Sequence, residues 1–276
     1  MDDPAKHNFA PVRALQRGLA VLQDLSLYKG AHPQQIARRL GLPRPTVVRL
    51  LETLEGMGFV ERSPSDGSWF PTLYVRSLSD GYNDEAWVRE CAAPEIEQLG
   101  KQILWPVDLH TLQNDMMLVR ESTHRTSPFS IQHGLVGTRL PILHTSSGRA
   151  FLAFCPDEER EAILDRLVKQ GGPEKALAGD RHHIAQLIAT TRQQGYGLRC
   201  GELIPATNSF SVPVHAKGRV QAVVTVVWFV SALPVAEGLR RFLEPARDCA
   251  ARIAGKCEAF PDMTLRYQRD ARGTAG

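Results

Sequence analysis

The sequence predicts an α+β protein in two parts. Three short helices and a β-hairpin come first, followed by a larger region in which helices cover antiparallel hairpins. Three observations carry this reading. The first 58 residues hold three apolar stripes at helical spacing. Asp66-Gly67, Asn114-Asp115 and Lys217-Gly218 each separate two apolar runs, as hairpin turns do. At 276 residues the chain is longer than one ordinary core supports, so two domains are expected.

In chain order, VRALQRGLAVLQDLSL places Val12, Leu15, Leu19, Leu22 and Leu25 on one stripe, which predicts a core-facing helix. HPQQIARRLGLP follows with Pro33 in a first turn, Ile36, Ala37 and Leu40 inward, and Gly41 at a left-handed exit. The third stripe is Val47, Leu50, Leu51, Leu54 and Met57, stopped by Gly56 and Gly58. FVER and WFPT then flank SPSDGS as a hairpin, completing the outline of a winged helix-turn-helix. A connecting helix over LYVRSLSDGY leads to a longer helix, roughly Asp84 to Gln102, interrupted early by Pro94.

Beyond it, WPVDLHTLQ and MMLVREST form one hairpin, PFSIQH adds a strand, and SFSVPVHA with RVQAVVTVVWF forms another hairpin. Helices are expected around Ser147 to Phe154, Asp157 to Lys169, Arg181 to Gln194 and Val235 to Lys256. The chain is therefore divided into 1–72, a helix-turn-helix with wing; 73–84, a linker helix; 85–260, a ligand-sensing domain; and 261–276, a tail.

Bulk composition excludes several classes. The start, MDDPAKHNF, lacks the basic and then apolar plan of a secretory signal. The longest apolar run, Ala222 to Val230, is far short of the roughly 20 residues a membrane helix needs. Five scattered cysteines without a C-x-x-C pair point to reduced thiols in a cytoplasm rather than to disulfides or zinc. A net charge of +3 identifies no partner, but its distribution does. Between Pro33 and Leu51 stand four arginines and no acidic residue.

That patch gives the helix-turn-helix a nucleic-acid reading. A major groove admits one helix, and base edges are reached from its N-terminal solvent face, here Arg44, Thr46, Val48 and Arg49. Arginine grips guanine with two bonds, and Val or Thr methyls meet thymine's methyl. Arg38, Arg39 and Arg62 are placed for phosphates, which position without reading sequence. The alternative is that these arginines only solvate a small helical core.

The order of these pieces resembles the IclR-type family of bacterial transcription regulators over almost the whole chain. The resemblance is carried by VRALQRGLAVL, QQIARRLGLPRPTVVRLLETLEGMGFVER, GTRLPILHTSSGRAFLAF, QQGYGL and SFSVPVHAKGRVQAVVTVV. It implies a winged helix-turn-helix, a linker helix used in dimerisation, and a GAF-like α/β effector-binding domain. It further implies a homodimer or dimer of dimers on a palindromic double-stranded operator. Pro45 departs from the Ser or Thr usual there, which removes a hydroxyl cap. Within the family, RSPSDGSW, VRSLSDGYNDEAWV, WPVDLHTL, VRESTHR and LAFCP look most like activators of 3-(3-hydroxyphenyl)propionate and related aromatic-acid catabolism. An activator implies RNA polymerase as a further partner. The alternatives are a repressor responding to another small organic acid, or an enzyme or sensor without DNA binding.

An acidic effector needs convergent N–H donors or positive potential, and a helix start offers both. LPILHTSSGRAFLAF supplies one, with Ser146, Ser147 and Gly148 exposing N–H groups; the family's effector contacts fall on Ser146 and Ser147. Ser209 matches another family contact, and Thr225 is the polar exception on the last strand's inner face. His110, His133 and Arg139 are candidates for a carboxylate or phenol, while Leu135, Leu140, Leu143, Phe151 and Phe210 are candidates to enclose a ring. An ordinary helix cap and satisfied core histidines are the competing explanation. No G-x-S-x-G, H-E-x-x-H or phosphate-cradling loop is present, so no enzyme, cofactor or metal is expected.

Overall fold

A computed structural model describes residues 12–28, 30–78, 86–130 and 135–260. They divide into two compact units, one ending with the described residues at Leu78 and the other beginning at residue 86.

The first unit packs α1 (Arg13–Leu27), α2 (Pro33–Leu40) and α3 (Arg44–Gly56) beside the hairpin of β1 (Val60–Arg62) and β2 (Trp69–Pro71). Gly41 exits α2 at φ 63°, and Gly67 turns the hairpin at φ 73°, so both glycines stand where L side chains are strained. Asp66 accepts from the Ser68 amide and hydroxyl at 3.0 and 2.6 Å, closing the wing loop on itself. These bonds hold the exposed Asp66 carboxyl down at about 2.

The core of this unit departs from expectation on α1. Val21, Leu22 and Leu25 are buried, but Val12, Leu15 and Leu19 stand 65, 61 and 49 % exposed. The stripe was read as one core-facing row, yet only its C-terminal half is buried in the core of the unit. Met57 is likewise exposed, past the end of α3. After β2 the chain forms a 3-10 helix, Leu73–Leu78, with no buried residue; the rest of the expected linker helix lies outside the described residues.

The second unit is built on a six-stranded antiparallel sheet of β3 (Val107–Gln113), β4 (Met116–Ser122), β5 (Arg139–Pro141), β6 (Gly197–Cys200), β7 (Thr207–Ala216) and β8 (Arg219–Phe229). The strand order is β5-β4-β3-β8-β7-β6. Asn114 and Asp115 both take positive φ in the β3–β4 turn, as do Lys217 and Gly218 between β7 and β8. Residues 128–130 form no strand; β5, three residues long, is the edge strand beside β4 instead.

One face of the sheet carries α4 (Ala93–Ile103) and α9 (Val235–Ala259) on a core including Leu109, Phe210, Val226 and Trp228. Pro94 is tolerated because it falls in the first turn of α4, where a π-helical turn, Val88–Ala92, hands over to the α-helix. Glu95 of α4 accepts from Arg252 and Lys256 of α9 at 2.6 Å each. The other face carries α5 (Ser146–Phe154), α6 (Asp157–Gln170), α7 (Lys175–Gly179) and α8 (Arg181–Gln194). Its apolar cluster includes Met117, Leu143, Phe151, Ile163 and Val223, with Leu140 packed against it.

Candidate functional sites and family membership

In α3, Val47, Leu51 and Leu54 are buried, while Arg44, Pro45, Arg49 and Glu52 are exposed. Thr46 and Val48 are half-buried on opposite flanks, so Val48 is less open than expected. The helix starts between Pro43 and Pro45 without a side-chain cap. Glu52 was missed on the outward face; a carboxylate there accepts from cytosine's amino group. Arg38, on α2, and Arg62, beside the wing turn, are exposed as expected. Arg39 is a correction. Its Nε and Nη2 donate to Asp24 at 2.8 and 2.5 Å, and its guanidinium lies 4.1 Å from the centre of the Tyr28 ring. This bidentate clamp ties α2 to α1 and engages the group that a phosphate would need.

In the second unit Thr145 caps α5: its hydroxyl accepts from the Gly148 amide at 3.1 Å and from the Ser147 hydroxyl at 3.2 Å. Gly148 is therefore no donor for a ligand. Its role is clearance, because a Cβ there would sit 1.7 Å from the Ile142 carbonyl oxygen. A Cβ on Gly197 of β6 would lie 2.2 Å from the Ser146 carbonyl oxygen, so α5 rests on bare backbone. Ser146 and Ser147 are left to supply the first N–H groups of the helix.

Beneath that end runs a buried chain of hydroxyls. Ser146 Oγ is 2.8 Å from Ser209 Oγ and accepts from Ser211 Oγ at 2.9 Å. Ser211 meets Thr225 at 2.8 Å, and Thr225 meets His110 Nδ1 at 2.9 Å. The pleat explains this convergence: Ser209 and Ser211 share a face of β7, and the sheet register sets Ser211 opposite Thr225 and Thr225 opposite Asp108. The same period sends Phe210 to the opposite face, against Tyr196 and Trp228, so it encloses nothing beside Ser209. Arg139 also fails to converge. It is exposed on the edge strand and donates to Gln113 Oε1 at 3.2 Å. His133 lies outside the described residues.

Two contributors went unread in the sequence. Arg199 of β6, paired across to Ser209, donates through Nε to the Ser209 hydroxyl at 3.1 Å. Its Nη1 reaches the carbonyls of Gly201 and Thr207 at 2.5 and 3.0 Å. No carboxylate pairs with it among the described residues, since Glu202 is taken by Arg149 of α5. Burial pushes the Arg199 guanidinium below its ordinary value, and a buried cation without a counter-charge favours an incoming anion.

Asp108 is the second. Its Oδ2 lies 3.5 Å from His124 Nε2, and His124 Nδ1 lies 2.6 Å from Ser130 Oγ. Burial raises the Asp108 carboxyl, but His124 and His110 outweigh it and hold the group below its ordinary value. Burial also pushes His110 down, against the pull of Asp108, which favours the neutral ring. Four buried side-chain atoms among the described residues find no partner, and two of them are Asp108 Oδ1 and His110 Nε2. No described helix is long and apolar enough to cross a membrane.

Known proteins carry the same two parts. The family model described as the IclR helix-turn-helix domain matches residues 14–64, and that of the bacterial transcriptional regulator IclR C-terminal region matches residues 81–255. The HTH-type transcriptional regulator KipR of Bacillus subtilis is 26% identical over 78% of this chain and 85% of its own. The transcriptional repressor IclR of Escherichia coli is 24% identical over 68% and 73%. A crystal structure of an IclR homologue from Microbacterium hydrocarbonoxydans, complexed with 4-hydroxybenzoate, matches at TM-score 0.55. It is 23% identical and covers 90% of this chain and 100% of that one. The chain belongs to the IclR family of bacterial transcriptional regulators, with an N-terminal DNA-binding unit and a C-terminal unit for a small-molecule effector.

Proposed function

We propose that the protein is a homodimeric activator of aromatic-acid catabolic genes, binding a small aromatic carboxylate beneath α5 and a palindromic operator through α3. The observation that carries the effector reading is the start of α5 over the buried Ser146–Ser209–Ser211–Thr225 hydroxyls, with Arg199 alongside, which no carboxylate pairs among the described residues. Helix N–H groups, hydroxyls and a guanidinium together suit a carboxylate. The 4-hydroxybenzoate held by the Microbacterium homologue supports an aromatic acid. For DNA, Arg44, Arg49 and Glu52 face outward to read bases, with Thr46 and Val48 at their flanks and Arg38 and Arg62 for phosphates.

A dimer is supported by the apolar groove of about 690 Å³ between α1 and α3, lined by Leu15, Leu19, Leu50, Met57 and Leu78. A second copy of this face would cover the half-stripe of α1 that the unit's own core leaves open. The domain assignment is 1–72 for DNA, 73–84 as linker, 85–260 for effector and assembly, and 261–276 as tail.

Activation rests on the resemblance of RSPSDGSW and WPVDLHTL to activators, and it brings RNA polymerase in as a partner. The repressor name of the Escherichia coli relative favours the second reading, release of the operator on effector binding. Both are tested by a thermal-shift screen of aromatic carboxylates, footprinting with the best hit, and a reporter assay. Stabilisation by aliphatic acids alone sinks the aromatic reading, and a reporter that falls silent without the protein establishes activation.

A further inference from the structure

Asp108 Oδ1 and His110 Nε2 find no partner among the described residues, although their residues are only 4 and 2 % exposed. Both lie on β3, two residues apart, and share the α5 side of the sheet, because Val107 and Leu109 belong to the opposite core. The hydroxyl chain fixes which way its hydrogens run. Ser211 Oγ gives its one hydrogen to Ser146 Oγ, so at the next link Thr225 donates to Ser211. Thr225 then has none left for His110, whose Nδ1 must carry the ring proton and donate to Thr225 at 2.9 Å. Burial favours the neutral ring, which has a single N–H, so Nε2 is left as an acceptor. Asp108 is held in its ionised form and only accepts; His124 stands at its Oδ2, which leaves Oδ1. Two buried acceptors, one of them on an anion, are thus unmet on the same face, and leaving them so is costly. A hydroxyl brings one hydrogen and satisfies only one of them; a carboxylate brings none and meets a like charge. A primary amino group brings at least two.

We infer that Asp108 and His110 form an amino-reading subsite and that the effector is an amino acid, its nitrogen donating to Asp108 Oδ1 and His110 Nε2 while its carboxylate meets Ser146 and Arg199. The assignment rests on the proposed placement of the effector's acid group beneath α5. The two ends of the hydroxyl chain are opposite in charge. At one, Arg199 is a buried guanidinium that no carboxylate pairs among the described residues; at the other, Asp108 is a buried carboxylate with an unpartnered oxygen. A ligand with one charge of each sign compensates both ends, whereas a plain acid compensates one. The sheet also sets the ligand's length. From β3 across β8 to β7 is two strand spacings, roughly 10 Å. The two groups of an α-amino acid share one carbon and stand too close to serve both ends, so the amino and acid groups lie across a ring or at the ends of a short chain. Aminobenzoates and ω-amino acids have this build, and a ring amine, though uncharged, still gives both hydrogens. His124, with Nδ1 2.6 Å from Ser130 Oγ, is a positioning residue that fixes the Asp108 carboxyl through its other oxygen.

The test is calorimetric titration of the full-length protein with two matched sets of acids. One set is 4-aminobenzoate, 4-hydroxybenzoate and benzoate; the other is 4-aminobutyrate, 4-hydroxybutyrate and butyrate. In at least one set the amino member should bind ~10–100-fold tighter than the plain acid, and tighter than the hydroxy member. Asp108→Leu and His110→Phe should each bring the amino and plain affinities together. Asp108→Asn and His110→Gln, which keep a polar head, serve where those variants do not fold and should lose part of the preference. Preference for the amine in the aromatic set supports both the subsite and the aromatic effector; in the aliphatic set alone it keeps the subsite and sinks the aromatic reading. Three outcomes overturn the subsite and leave the acid site standing: hydroxy acids that bind as tightly as their amino partners, equal affinities across both sets, as when one water holds its two hydrogens on these acceptors, or a preference that survives the substitutions. Binding of none of the six overturns both.

Discussion

The two units keep their polar chemistry in opposite places. In the first, Arg38, Arg44, Arg49 and Arg62 stand exposed on short elements, and none of the four forms an ion pair among the described residues. In the second, Ser146, Ser209, Ser211, Thr225, His110 and Asp108 are all buried and are joined by shared hydroxyls, with Asp108 beside His124. A surface arginine is free to trade water for phosphate or guanine, and its loss spares the fold. A buried hydroxyl chain supports the fold and, in the proposed function, the ligand, so its loss should harm both.

The sharpest way to break this contrast is Arg44→Ala with Arg49→Ala. Operator affinity should fall on the order of 100-fold or more, each base contact contributing about 1–3 kcal/mol, with melting temperature and effector affinity unchanged. Fluorescence anisotropy on operator DNA, beside a melting curve, measures both; undiminished DNA affinity removes α3 as the reading helix. Ser146→Val tests the buried side. Leaving Ser209 and Ser211 short of a partner should cost about 1–3 kcal/mol in denaturant unfolding and weaken effector binding at once. A variant as stable as the parent breaks the link between fold and site.

A titration sharpens the contrast further. His110 sits below its ordinary value of 6.5 in the folded chain, so folding binds fewer protons there than the unfolded state does. Its contribution to stability is complete above about 6.5 and is lost as pH falls through its folded value. Unfolding followed from pH 7.5 down to 5.5, values chosen as about one unit either side of 6.5, should show this decline. His110→Gln should flatten it relative to the parent, in which His215, also lowered by burial, contributes with the same sign. The smallest expected effect is at the wing: Arg62→Ala should weaken every DNA sequence alike and reduce the salt slope of binding by about 1. A change confined to one operator position assigns Arg62 to a base instead.

The same contrast governs what could be read from residues alone. The buried face of α3 was legible because Val47, Leu51 and Leu54 repeat within one helix, and the remainder is its outer face. The hydroxyl chain joins residues 63 and 115 positions apart, and no local period carries that information. Arg199 was a lone arginine in LRCG until β7 set Ser209 across from it. Phe210 was misplaced by composition, although the period that paired Ser209 with Ser211 already sends it to the other face. On α1 the apolar stripe foretold burial but not what covers it, and half of it remains outside the unit's own core.

The bare contact between α5 and β6 bears on how such a regulator diverges. With Gly148 against the Ile142 carbonyl and Gly197 against the Ser146 carbonyl, the helix has no spacer to shorten and nowhere closer to settle. The roof over the buried hydroxyl chain is set by backbone, and its floor by side chains on β3, β7 and β8. On the proposed effector reading, a change of ligand preference falls to the side chains of the strands, because the backbone contacts of α5 leave that helix no room to shift.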